Sequence, residues 1–210
     1  LTADQEVGED VHNVFQQLTG MGKIQKLKKL YNAPFTLHAK MLDAIRNETR
    51  LAKAGKPGHI MVKVNGLTEP KMIRALYEAS AAGVKIELII RGMCRLRPGI
   101  EGLSDNIQVR SIIGRFLEHT RVYYFGNNGK PEEFCASADW MERNMLNRVE
   151  TGFQVFGKHA ERLKRELDYC MRDNCQSWEL QADGSYVQNQ PGDDDEIFSA
   201  QQKLLDEFAK

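Results

Sequence analysis

The sequence predicts an α/β domain: a mixed, mostly parallel sheet flanked by helices, with extra helices at its N- and C-terminal ends. Three observations predict it. The β-rich run His59-Ile60-Met61-Val62-Lys63-Val64, the helical stretch Glu69 to Ala82 and the run Val84 to Ile90 follow one another with only turn residues between, and strands joined through a helix pair in parallel. Val84 to Ile90 is mostly apolar, as expected of a central strand covered on both faces. Four more short β-rich runs follow, at Ile107 to Ile113, Val122 to Phe125, Glu133 to Ala136 and Val149 to Phe156.

The remaining elements follow from periodicity and punctuation. From Asp4 to Leu18, Val7, Val11, Val14, Phe15 and Leu18 recur at helical spacing, and Gly20 ends the run. A basic connector spans Lys23 to Lys29. Leu37 to Ala54 is helical again, with Leu37, Met41, Leu42, Ile45 and Leu51 on one side and Gly55-Lys56-Pro57-Gly58 as its stop. Gly83 stops the Glu69 to Ala82 helix, and Lys158 to Asp173 forms another. Gly184 to Asp195 is polar, contains Pro191-Gly192 and reads as a linker. A last helix runs from Glu196 to Lys210, and no internal repeat is visible.

At 210 residues the chain is long enough to bury a core, and 41% hydrophobic with 28% charged residues is ordinary for a globular protein. The formal net charge is zero, so bulk charge points to no polyanion partner and to no nucleic acid. An anion site has to come from local clustering. No apolar run approaches the ~18 residues of a membrane span. The chain opens Leu-Thr-Ala-Asp-Gln-Glu, without initiator Met, basic n-region or apolar h-region, and reads as a piece of a longer protein. Cys94, Cys135, Cys170 and Cys175 form no Cys-x-x-Cys pair and read as buried, reduced thiols of a cytosolic protein.

Chemistry gathers at three places. The strand ending at Ile90 runs straight into Arg91-Gly92-Met93-Cys94-Arg95-Leu96-Arg97-Pro98-Gly99. Ligands of open α/β sheets bind beyond the carboxyl ends of strands, and a guanidinium placed there presents a fork suited to phosphate oxygens. Arg91 therefore stands above Arg95 and Arg97, which read as solvated loop charges. His119 precedes Arg121 by two residues at the start of an apolar strand, so alternation puts both side chains on one face. Imidazole can attack phosphorus or exchange a proton near neutral pH, and guanidinium offsets charge on phosphoryl oxygens. Read by itself, a strand-edge histidine beside Glu118 is more often structural. Third, Ser137 and Asn144 flank a polar segment able to orient a ligand or an imidazole, although Asp139 could instead cap a helix from Trp140 to Leu146. His38-Ala39-Lys40 also spells His-x-Lys, but on a helix residues two apart diverge, and it reads as a solvated helix start. His12, His59 and His159 show no metal-binding partners.

With these residues in place, the chain resembles the C-terminal part of the type 1 (bacterial) polyphosphate kinases over about residues 1–180. The resemblance rests on Leu1-Thr2-Ala3-Asp4, Ala79 to Val84, Leu88 to Cys94, Ser104 to Ile107, Leu117 to Tyr123 and Ser137 to Met141. It implies a phospholipase D-like fold in which two related halves face each other across the site. The implied reaction moves the terminal phosphate of ATP reversibly onto polyphosphate through a phosphohistidine upstream of Leu1, so this piece alone is expected to be inactive. Arg91 matches the family's phosphate-contacting arginine, and His119 its second, assisting histidine. Arg121, Ser137 and Asn144 are secondary candidates. The resemblance puts the ligands of Mg2+ in the upstream half, with no metal site here. It implies a division into 1–30 (connector), 31–180 (catalytic domain) and 181–210 (linker and helix). Its implied partners are ATP or ADP, polyphosphate, the upstream half and, in a homo-oligomer, further copies; its implied place is the cytoplasm, reaching the inner membrane surface peripherally. The chain departs from the wider His-x-Lys-x4-Asp pattern, with Arg121 for Lys and Gly126 for Asp, which weighs against the two alternatives' stronger form, a phospholipase D-class phosphodiesterase half-site. The other alternative is a phosphate-binding module without chemistry.

Overall fold

The computed structural model describes residues 2–20 and 26–209. Leu1, the start of the basic connector at Lys23, and Lys210, read from sequence as the end of the closing helix, lie outside the described residues. One sheet organises them, in the order β1 (Leu30–Ala33), β7 (Glu150–Val155), β6 (Glu132–Ala136), β5 (Val122–Phe125), β2 (His59–Val64), β3 (Lys85–Ile90), β4 (Ile107–Ile112), β8 (Ser177–Leu180), β9 (Tyr186–Gln188).

Strand alternation sorts side chains to two cores. Ile60, Val62, Ile86, Leu88 and Ile90 point to one face, against α2 (Leu37–Lys53) and α3 (Pro70–Ala81). Met61, Ile89, Ile112 and Val122 point to the other, against Leu167 and Cys170 of α4 (Lys158–Arg172) and Ala200 of α5 (Ala200–Phe208). The α-helix α1 (Gln5–Leu18) is tied to the chain that follows it by Glu6, Glu9 and Gln17 and by one buried carboxylate. Asp10, 1% exposed, accepts the backbone N–H groups of Lys29 at 2.6 Å and Leu30 at 2.9 Å, so part of the basic connector is held in place by an acid. The starts of α1 and α3 are capped by side chains: Asp4 accepts from the Val7 amide at 3.0 Å, and Glu69 from the Met72 amide at 2.7 Å ahead of Pro70.

The α/β class and the parallel β2–α3–β3 unit stand as read. The expectation of a mostly parallel sheet does not: among the described residues only β2–β3 and β3–β4 pair in parallel, and the other neighbours are antiparallel. The connection after β5 is a short loop that permits only a hairpin, whereas β6 returns antiparallel to β7 through a longer segment that holds the π-helical turn Arg143–Asn147. The stretch read as a linker contains β9, and the closing helix starts at Ala200, where Ser199 accepts from the Gln202 amide at 3.3 Å. Of the four thiols only Cys170 is buried; the other three are half-buried, and all are free. No helix of the described residues is long and apolar enough to cross a membrane.

Candidate active site

Parallel pairing of β2 and β3 sets Val64 beside Ile90, so the residues that follow, Asn65 and Arg91, leave the sheet together. The Gly92 amide donates to the Asn65 carbonyl at 2.9 Å, and a Cβ on Gly92 would sit 2.8 Å from that oxygen, so glycine is required at this turn. Antiparallel pairing places Lys63 opposite Val122 of β5. The chain just before Val122, which carries His119 and Arg121, therefore runs past the carboxyl end of β2. Lys63, Asn65, Arg91, Glu118 and Thr120 line a cavity of about 20 Å³ there, room for roughly one water.

The cavity's charges do not close. Lys63 on β2 forms an ion pair with Glu118, and Gln201 donates to the other Glu118 oxygen at 2.8 Å. Burial works against the Glu118 carboxylate, but Lys63, Gln201 and Arg91 outweigh it and hold its pKa below the usual range. Burial also opposes the Lys63 ammonium, which Cys170 and Glu118 more than offset. That leaves Arg91. Its carbonyl accepts from the Ser111 hydroxyl at 3.2 Å, while its Nη1 is buried without a hydrogen-bond partner. An unpartnered buried guanidinium donor is costly, and an anionic oxygen is the partner that would remove the cost.

His119 is exposed, and β5 begins only at Val122, so strand alternation does not reach back to align His119 with Arg121. Arg121 instead donates from Nη1 to the His119 carbonyl at 2.9 Å and from Nε to Asp139 at 3.2 Å. Asp139 also accepts from the Asn65 backbone and side-chain nitrogens at 2.7 and 3.1 Å. Arg121 thus fixes the histidine's backbone to the end of β2. Asp139 caps no helix; a π-helical turn at Arg143–Asn147 follows it. Ser137 and Asn144 donate to the two oxygens of Glu150, at 2.5 and 2.6 Å, so both are turned to that carboxylate and not to an imidazole. The buried Asn144 Oδ1 has no partner.

The decoy on α2 is not solvated: the His38 side chain is 12% exposed and lies 3.2 Å from Glu69, while Lys40 pairs with Glu132 at 3.0 Å. The two diverge as helical geometry requires. His59 meets Glu87 at 2.6 Å, with Lys85 at 2.9 Å from the same carboxylate. Burial would raise the Glu87 pKa, but bonds from His59 and Lys85 bring it down to about 2.

Three participants were missed from sequence. Asn65 follows an apolar strand just as Arg91 does, so the same strand-end rule points to it. Lys63 was visible as a cation inside an apolar run. Gln201 gave no signal, because its partners lie 83 and 85 residues away. Among the described residues no cluster of three or more His, Cys, Asp or Glu could hold a metal, and the cleft's carboxylates Glu118 and Asp139 are engaged by cations. These residues do not fit a divalent ion.

The sheet, covered by helices on both faces with the histidine segment crossing the ends of β2 and β3, shares the fold of phospholipase D family members. A phospholipase D family member, Nuc from Salmonella typhimurium, superposes with TM-score 0.53 over 73% of this chain and 97% of that one; at 16% identity the likeness is one of fold. Residues 30–201 match the family model described as polyphosphate kinase C-terminal domain 2, and the chain belongs to the polyphosphate kinase family. It is 56% identical to the polyphosphate kinase of Pseudomonas syringae pv. tomato and 55% identical to that of Pseudomonas aeruginosa over its whole length, and spans 28% and 30% of them. The polyphosphate kinase crystal structure from Porphyromonas gingivalis matches with TM-score 0.93 at 33% identity, over 99% of this chain and 32% of that one.

Proposed function

We propose that the chain is one wall of an ATP:polyphosphate phosphotransferase site whose phosphorylated histidine lies in an upstream half of the same polypeptide. The observation that carries this is the open Arg91 donor where β2 and β3 end, across from the strand that follows His119. In the transfer, the upstream imidazole nitrogen bonds to the terminal phosphorus of ATP as the bond to the ADP oxygen breaks. A terminal polyphosphate oxygen then takes the phosphoryl group from nitrogen. Arg91 holds phosphoryl oxygens and offsets their charge, and His119 exchanges a proton with the leaving or attacking oxygen. Ile113, Phe116 and Leu117 are exposed beside His119, which supports a face covered by the upstream half. The ligands of a magnesium ion accompanying the nucleotide belong to that half. A homo-oligomeric enzyme acting in the cytoplasm completes the reading.

The test restores the upstream half and follows label from the terminal phosphate of ATP into protein and polymer. His119→Ala is expected to slow delivery to polymer at least a hundredfold, within the usual range for a proton-transfer group. Full activity in that variant contradicts the role. ATP binding without any label transfer by the restored protein would favour the non-catalytic binding module.

A further inference from the structure

The segment joining β4 to β5 carries His119, yet it belongs to no strand. Among the described residues, the backbone of 114–120 forms hydrogen bonds to side chains alone. One of those side chains is remote in sequence. Gln201, in the first turn of α5 and 5% exposed, accepts from the Phe116 amide through Oε1 at 2.9 Å and donates from Nε2 to the Phe116 carbonyl at 2.9 Å. Nε2 also donates to Glu118 Oε1 at 2.8 Å. Each is a bond to a group within three residues of the histidine, on a segment that has few other ties.

The second Glu118 oxygen is held by Lys63, two residues before Asn65 on the strand that pairs with the one leading into Arg91. Gln201, Glu118 and Lys63 therefore form a continuous brace from α5 to the anion-binding edge. The surroundings are shaped for it. A Cβ on Gly114 would lie 2.5 Å from the Gln201 carboxamide oxygen and would push that side chain off its present position. The helix is itself fixed: the buried Asp173 accepts the Ala200 amide at 2.8 Å, and Glu207 accepts from the Tyr169 hydroxyl at 2.6 Å.

We infer that Gln201 is a positioning residue for the phosphotransfer, acting through Phe116 and Glu118 to set the His119 imidazole against the phosphate held by Arg91. The inference rests on the assisting role of His119 argued under Proposed function. It gives the C-terminal helix a part in the reaction, beyond covering the sheet.

The test uses the full-length enzyme. Gln201→Met keeps side-chain length but removes both donations and the acceptor. Gln201→Glu keeps an acceptor for the Phe116 amide and gives up the donations. Steady-state label transfer is measured for each in the parent and in a His119→Ala background. The expected result for Gln201→Met is a tenfold to hundredfold fall in kcat, roughly what misplacement by about 1 Å costs, with KM for ATP within about twofold. In the His119→Ala background the same change is expected to cost under about twofold, since residues acting as one unit are not additive. An equal loss in both backgrounds, a loss confined to KM, or an unchanged kcat overturns the inference. Should Gln201→Met fail to fold, Gln201→Glu carries the same comparison. Full kcat in His119→Ala alone removes the role of His119 and this inference with it; an impaired His119→Ala with additive Gln201 effects removes this inference only.

Discussion

The same two strands, β2 and β3, end in charged clusters of opposite character. At their amino ends His59, Lys85 and Glu87 meet at 2.6 and 2.9 Å, and the His59 amide is taken by Glu48 at 3.0 Å. That histidine is locked in the fold. At their carboxyl ends Lys63 and Arg91 face the single carboxylate of Glu118, and the Arg91 Nη1 is left open. The histidine nearby, His119, is exposed. A cluster whose charges close holds the sheet together, whereas a cluster with a surplus cation has kept a place for something else.

The two ends should respond oppositely to mutation. The largest expected effect on stability is at the closed end. The folded Glu87 pKa of about 2 lies below its ordinary value of 4.5, so its stabilisation is full above about pH 5 and is lost as pH falls through about 2. In denaturant unfolding across that range, Glu87→Gln should lose about 3 kcal/mol at neutral pH, and most of that difference should be gone by about pH 2. Next comes Glu118→Ala, which strands the buried Lys63 ammonium; the expected loss is about 2 kcal/mol, between surface and buried pairs. Asp139→Asn weakens the tie from Arg121 to β2 and should cost about 1 kcal/mol in the same assay. The smallest effect separates the ends most cleanly. Arg91→Met removes an unpartnered donor but also a charge that favours the Glu118 carboxylate, so the two offset and the change should stay within about 1 kcal/mol of neutral; a loss as large as that at Glu87 would break the comparison.

The elements read correctly from sequence are those with strong local periodicity. Leu37, Met41 and Ile45 repeat along α2, and the apolar run through Ile90 marks a central strand. The strands that escaped, β1, β8 and β9, are three or four residues long and mix polar with apolar residues, whereas β5, equally short, is Val-Tyr-Tyr-Phe throughout. The sheet's direction was misjudged because it depends on which distant runs become neighbours. In the site, Arg91 was legible through one rule about strand ends, and the same rule would have reached Asn65. The role read for Arg121 changed because Asp139, 18 residues on, takes its guanidinium, and the hydroxyl and amide of Ser137 and Asn144 went to Glu150. Such pairings are set by folding and leave no mark in spacing.

The central claim is that the open end of β2 and β3 is where phosphate binds, and ATP affinity of the full-length enzyme tests it most directly. Arg91→Gln should weaken ATP binding about tenfold to a hundredfold, the worth of one charge-assisted bond, while Lys85→Gln at the closed end of the same strand leaves it unchanged. Equal affinities for the Arg91→Gln variant and the parent would contradict the account.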